Sequence, residues 1–170
     1  MSGTSSGSSE LAAGPAGGPV ERAVPPIRIV AALIEDGERL LFVRKRGTEW
    51  FMQAGGKAEV GENPLETLTR ELREEIGYEL CPGEATLIDH FTAPAVNEPG
   101  CQVEGAIYHL PLDRQALQSG GLVLQPGGEI AEMRWVTPEQ ARHLKLAPLS
   151  AQWLVPWAEK RFRLNSSPPQ

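Results

Sequence analysis

Apolar and polar positions follow two rhythms along this chain. Arg28-Ile29-Val30-Ala31-Ala32-Leu33-Ile34 is a nearly unbroken apolar run, short enough for a buried strand. Glu35-Asp36-Gly37-Glu38 reads as a turn, and residues 39–44 as the returning strand of a hairpin. Trp50-Phe51-Met52-Gln53 is a short strand leading into a glycine loop. Strands are also expected over 85–92, 103–112 and 130–136, with Asn97-Glu98-Pro99-Gly100 turning between the first two of these. Residues 115–128 form a polar, glycine-rich excursion around a short apolar segment.

The second rhythm is helical. Leu65, Leu68, Leu72 and Ile76 keep a three-four spacing that builds a buried stripe. Asn63 suits the N-cap, Pro64 the first helical position and Glu66 the acid of a capping box, while Gly77 is a natural stop. A further helix starts over 138–144 with Thr137 as its cap, and another spans 149–162 with a kink at Pro156. Strands mixed with helices of this length imply an α/β fold, its sheet covered on both sides.

The helix after the glycine loop also carries Glu71, Glu74 and Glu75 on one patch beside its apolar stripe. Three carboxylates repel one another, and Arg70 and Arg73 relieve only part of that. Two readings are open. One is a solvated acidic face with intrahelical pairs such as Arg70–Glu74, each worth roughly 0.2–0.5 kcal/mol. The other is a cation site, since carboxylate and carbonyl oxygens suit magnesium, manganese or calcium, and magnesium shares its remaining positions with phosphates.

Gly56, Glu62, Arg70, Glu71, Leu72, Glu74, Glu75 and Gly77 stand in register with the signature of the Nudix hydrolase family, which this segment resembles, with Tyr78 in the final, usually aliphatic place. The resemblance extends from about Pro26 to the helix after Leu149. Upstream, the family's proline-glycine-glycine is replaced by Gln53-Ala54-Gly55-Gly56, which should leave the loop slightly freer. The resemblance implies an α/β/α sandwich around a mixed sheet. It implies hydrolysis of the diphosphate linkage of a nucleoside diphosphate derivative, a nucleoside triphosphate first and ADP-ribose or another nucleotide sugar second. Pro94 lies near the position of an ADP-ribose marker. It also implies Mg2+ (or Mn2+) held by Glu71, Glu74, Glu75 and the carbonyl of Gly55, with Arg70 orienting a glutamate and Glu62 supporting the ligands. Glu59 is either a site residue or loop surface. A downstream acid is expected as ligand or general base, with Glu129 first and Glu104 and Glu132 as rivals. Phosphate contacts are expected from Arg44, Lys45 or Arg46, and stacking on a base from Trp50, Phe51 or Tyr108. Trp153 and Trp157 are expected to pack the last helix down. Two other classes stay open. One is a nucleotide-binding sensor without turnover. The other is an isoprenoid diphosphate isomerase, which needs a thiol from Cys81 or Cys101 in the cleft.

Composition narrows the partners. The chain has 170 residues, enough for one domain, with 16 Lys+Arg against 22 Asp+Glu and a net charge of −6. That balance argues against nucleic-acid polymers and anionic membranes as partners, and an anionic substrate then needs local cations. No run is long enough to span a bilayer and no signal-peptide pattern opens the chain, so a cytoplasmic protein is expected. Cys81 and Cys101 read as reduced thiols, and His90, His109 and His143 are scattered without zinc-type spacing. Residues 1–24 read as a disordered Gly/Ser/Ala/Pro-rich leader, 25–163 as the catalytic domain and 164–170 as a flexible tail. The frequent dimers of the family leave a homodimer open.

Overall fold

The computed structural model describes residue 3 and residues 22–166; most of the expected leader and the end of the expected tail lie outside them. Seven strands form one mixed sheet: β1 (Ile27–Asp36), β2 (Arg39–Lys45), β3 (Phe51–Met52), β4 (Ala54–Gly56), β5 (Thr86–Pro94), β6 (Gln102–Pro111) and β7 (Ile130–Val136). The helices are α1 (Pro64–Ile76), α2 (Arg114–Ser119), α3 (Pro138–Ala141) and α4 (Val155–Asn165), the last entered through a π-helical turn at Ser150–Leu154. Pro156 lies just beyond this turn, and the interruption expected at Pro156 is met as the change from π- to α-helical pitch just before it. α4 runs through Asn165, past the expected start of the tail.

β1 is the spine. It lies parallel to β6 from Ile27↔Val103 to Glu35↔Pro111. It meets β2 only at Glu35↔Leu40 and Asp36↔Arg39, so the hairpin turn is just Gly37-Glu38, tighter than the sequence suggested. Beyond that point β2 leaves β1 to pair with β7, and β4 takes the vacated edge at Val30↔Gly56, Ala31↔Gly55 and Ala32↔Ala54. The glycine loop is thereby fastened to the central strand.

The unbroken apolar run of β1 serves two cores, because successive side chains point to opposite faces. Val30, Ala32 and Ile34 join Leu41, Val43 and the α1 residues Leu68, Leu72 and Ile76. Ala31 and Leu33 join Leu40, Phe42 and Ile107 beneath Ala141, Leu154, Val155 and Ala158. The result is an α/β/α sandwich. Leu68, Leu72 and Ile76 are fully buried, each worth about 1.5–3 kcal/mol relative to exposure. Leu65, expected in the same stripe, is exposed in the first turn and lines a surface groove with Leu80 and Cys81. Both ends of α1 are secured as its sequence dictates. The Asn63 side chain accepts from the Glu66 N–H at 3.0 Å, the Glu66 carboxylate accepts from the Asn63 N–H at 2.8 Å, and Gly77 closes the helix at φ +70°.

The polar excursion is more ordered than its composition implied. α2 is capped by Asp113, and the segment then folds back onto the end of α1. The Gln125 and Gly127 N–H groups donate to the Ile76 and Glu75 carbonyls at 3.1 and 2.9 Å. This brings the loop before β7 to the acidic side of α1.

Candidate active site

The site is built where β4 and α1 touch. A β-carbon on Gly55 would stand 2.2 Å from the Val30 carbonyl oxygen, and one on Gly56 would stand 2.4 Å from Oε1 of Glu71. The two glycines therefore serve different contacts, the first with β1 and the second with a carboxylate.

Glu75 is buried, and its Oε2 accepts from the Gly55 N–H at 2.9 Å. Burial pushes its carboxyl up to about 7, with Glu71 adding to the rise, while the Gly55 N–H and the Lys45 ammonium pull the other way. Glu71 accepts from Nη1 of Arg70 at 2.8 Å, and Glu74, half-exposed, lies 3.6 Å from the same guanidinium. Arg70 also donates from Nε and Nη2 to Glu62 at 2.7 and 3.0 Å and to the Lys57 carbonyl at 3.0 Å. Those bonds from Arg70, with the Glu59 N–H and the Thr67 hydroxyl, lower the Glu62 carboxyl to about 2. Arg70 is thus a clamp between Glu62, Glu71 and the loop backbone.

A cavity of about 600 Å³ opens beside this cluster. Its lining holds Glu71, Glu74 and Glu75 with Lys57, Glu59 and Arg70, together with apolar side chains that include Ile29, Met52, Pro94, Val96, Val103 and Leu149. Lys45 and Glu129 also line it, with Nζ of Lys45 3.6 Å from both Glu75 and Glu129. Among the described residues, no three acidic or imidazole side chains already stand as a metal cage. Glu71, Glu74 and Glu75 are engaged by Arg70 and Lys45 instead. The donor set is nevertheless all oxygen, three carboxylates beside the Gly55 backbone. That chemistry fits magnesium or manganese, and a buried carboxylate next to another gains from a cation.

Several expected contacts fall elsewhere. Arg44 donates to Glu132 from both Nε and Nη2 at 3.1 Å and to the Thr48 carbonyl, and neither Arg44 nor Glu132 lines the cavity. Arg46 donates to the Gly128 carbonyl, also outside it. Arg44 and Lys45 alternate across the end of β2 while Arg46 lies in the turn beyond it, and of the three only Lys45 reaches the cavity. Phe51 is core, Trp50 lies under the Lys145 ammonium at 4.7 Å, Tyr108 is buried in the α1-side core, and none of the three lines the cavity. Glu104 pairs with Arg28 at 3.5 Å at the surface. Trp153 packs on Phe91 and donates to the Thr92 carbonyl, and Trp157 packs on His109. Cys81 and Cys101 are free thiols outside the cavity lining, so the isomerase reading lacks its thiol there. Two lining residues went unnoticed as site residues, Gln53 and Ser150, joined by a 2.6 Å hydrogen bond. The available signal was a polar residue interrupting the apolar run at 50–53.

Fold and site together define a hydrolase of phosphoric anhydride bonds. A family model, NUDIX domain, matches residues 25–157, and the chain belongs to the Nudix hydrolase family. The family acts on small nucleotide compounds and generally works with divalent metal ions. The chain is 34% identical over 148 residues to the CTP pyrophosphohydrolase of Escherichia coli K12, covering 84% of this chain and 96% of that protein. The solution structure of the Escherichia coli ORF135 protein superposes with a TM-score of 0.59 at 28% identity, covering 89% of this chain and 99% of that one. The Nudix domain of Shewanella oneidensis NrtR, solved with ADP-ribose, gives a TM-score of 0.61 at 14% identity over 81% of this chain and 89% of that one, a likeness of fold. No helix among the described residues is long and apolar enough to cross a membrane.

Proposed function

We propose that this chain is a nucleoside triphosphate pyrophosphohydrolase. The observation that carries the reading is one cavity lined by the α1 carboxylates and by apolar side chains, matching a phosphate chain and a heterocyclic base. The 34%-identical CTP pyrophosphohydrolase supports a triphosphate over other derivatives.

In this reading Glu71, Glu74, Glu75 and the Gly55 carbonyl hold Mg2+ or Mn2+. A divalent ion there supplies charge neutralisation for the phosphates and a more acidic water. Arg70 keeps Glu71 aimed at the loop, and the Gly55 N–H keeps Glu75 in place. Water oxygen bonds to one phosphorus of the α–β anhydride, the bridging P–O bond breaks, and nucleoside monophosphate and inorganic pyrophosphate leave. Glu129, exposed at the cavity mouth, takes the proton of the attacking water. Lys45, between Glu75 and Glu129, donates to a phosphate oxygen once substrate enters. Glu62 holds Arg70 and does not touch substrate.

One observation favours a second substrate, ADP-ribose: Pro94, which lies near the position of the ADP-ribose marker, lines the cavity. The test is a panel of nucleoside triphosphates and ADP-ribose with Mg2+ or Mn2+, products read by mass spectrometry, and Glu74→Gln as control. Metal-dependent release of nucleoside monophosphate and inorganic pyrophosphate, reduced by orders of magnitude in Glu74→Gln, is expected. AMP from ADP-ribose with the triphosphates untouched would transfer the assignment to the second substrate. Metal and nucleotide binding with no turnover would make the chain a sensor.

A further inference from the structure

The side chain of Glu129 is 79% exposed, and its contact with the Lys45 ammonium at 3.6 Å is too long to fix it. Its backbone is held instead, and from two sides. Residues 127–130 form a tight turn, closed by the Ile130 N–H donating to the Gly127 carbonyl at 2.9 Å, with Gly128 at φ +53°. On one side the turn rests on the end of α1. The Gly127 N–H donates to the Glu75 carbonyl, and a β-carbon on Gly127 would stand 2.5 Å from the Glu74 carbonyl oxygen. Both carbonyls belong to the last turn of the helix, where helical partners run out, and to residues whose carboxylates line the cavity. On the other side stands Arg46. Its guanidinium donates to the Gly128 carbonyl, and its backbone N–H donates to the Glu129 carbonyl at 2.8 Å.

The register of β7 slips at the same place. Arg44 pairs with Glu132 but Lys45 pairs with Ile130, which leaves Ala131 without a partner on β2. A bulge re-aims the side chains beyond it. Here it sets Ile130 in the α1-side core opposite Lys45, and Glu129 next in line comes within reach of the Lys45 ammonium.

We infer that Arg46 is a positioning residue that clamps the turn 127–130 against α1 and thereby holds Glu129 beside the metal-binding carboxylates. The inference rests on the hydrolase reading above and deepens it. Arg46 does not line the cavity, so it acts through the turn and not on substrate. The clamp lies at the surface, so the fold does not depend on it, whereas a base displaced by about an ångström loses up to roughly 10²-fold in rate.

The test uses the full chain with Mg2+ and CTP or, where CTP is not cleaved, ADP-ribose. It measures kcat and KM for wild type, Arg46→Ala, Arg46→Lys, Glu129→Gln and the double variant Arg46→Ala with Glu129→Gln. Arg46→Ala is expected to lower kcat roughly ten- to a hundredfold and to change KM by less than about threefold. Arg46→Lys keeps a donor for the Gly128 carbonyl and recovers most of that loss. In the Glu129→Gln background Arg46→Ala costs less than about twofold, because a residue that acts only through Glu129 has nothing left to place. Amide hydrogen exchange in chelator gives a readout without turnover. The amides of Arg46, Gly127 and Ile130 should exchange at least about tenfold faster in Arg46→Ala, with those of Leu68 and Leu72 unchanged. A rise in KM at constant kcat would make Arg46 a substrate contact and overturn the inference. The same loss of kcat in both backgrounds, or unchanged exchange of the turn, overturns it as well. If wild type cleaves neither nucleotide but the turn still loosens in Arg46→Ala, the hydrolase reading fails and the clamp stands.

Discussion

Burying a carboxylate beside another costs free energy, and Glu75 carries that cost unless a cation offsets it. Its carboxyl is raised from the usual 4.5 to about 7, chiefly by burial. Below pH 4.5 it is protonated in both folded and unfolded chains and contributes nothing. Between 4.5 and 7 the unfolded chain ionises first, so stability falls as pH rises, and above 7 the loss is complete at roughly 2–4 kcal/mol. Glu75→Gln removes this dependence. Urea unfolding in chelator at pH 5 and pH 8 should show the variant gaining on wild type at the higher pH. A constant difference between the two proteins would mean that Glu75 ionises normally. Glu62 works in the opposite sense and in another window. Its carboxyl is lowered to about 2 by Arg70, so the stabilisation it brings is present above pH 4.5 and is lost as pH falls towards 2.

At the scale of elements, the adjoining glycines of β4 make separable predictions. In Gly55→Ala the new methyl meets the backbone of β1, which cannot yield, so stability should drop by more than about 2 kcal/mol. In Gly56→Ala the methyl meets the Glu71 carboxylate, which can swing away. Folding should survive while activity falls on the order of 10²-fold, the cost of misplacing a ligand by about an ångström. Urea midpoints and kcat measured on both variants check the split, and the reverse pattern would mean the loop is packed differently. α1 was legible in the sequence because its signals are local: cap, stripe, box and stop all lie within about two dozen residues, and the helix forms as they dictate. β4 was not, because its pairing with β1 depends on β2 peeling away, an event between segments distant in sequence. The choice of Lys45 over Arg44 was hidden for a related reason. The alternation was visible, but which phase faces the cleft is set by pairing of β2 with β7. Gln53 and Ser150 lie 97 positions apart and meet only through the fold.

For the whole molecule, the expected ligands come from different layers: Glu71, Glu74 and Glu75 from the α1 layer and Gly55 from the sheet. A chain with net charge −6 that takes an anionic substrate needs cations there, and a cation bound between the layers must stabilise their packing. Binding to the folded state alone adds about 2.7 kcal/mol at a hundred times Kd. For a domain of this size that is a rise in Tm of roughly 5–10 °C. The rise should be larger at pH 8 than at pH 5.5, because Glu75 must lose its proton to act as ligand. Glu74→Gln should abolish most of it. Asn63→Ala, which removes only the cap of α1 at a cost of about 1 kcal/mol, should lower Tm yet leave the rise intact. Thermal unfolding with Mn2+ titrated against wild type and both variants reads all of this in one series. A rise that persists undiminished in Glu74→Gln would put the metal elsewhere and return the acidic patch of α1 to a solvated helix face held by Arg70.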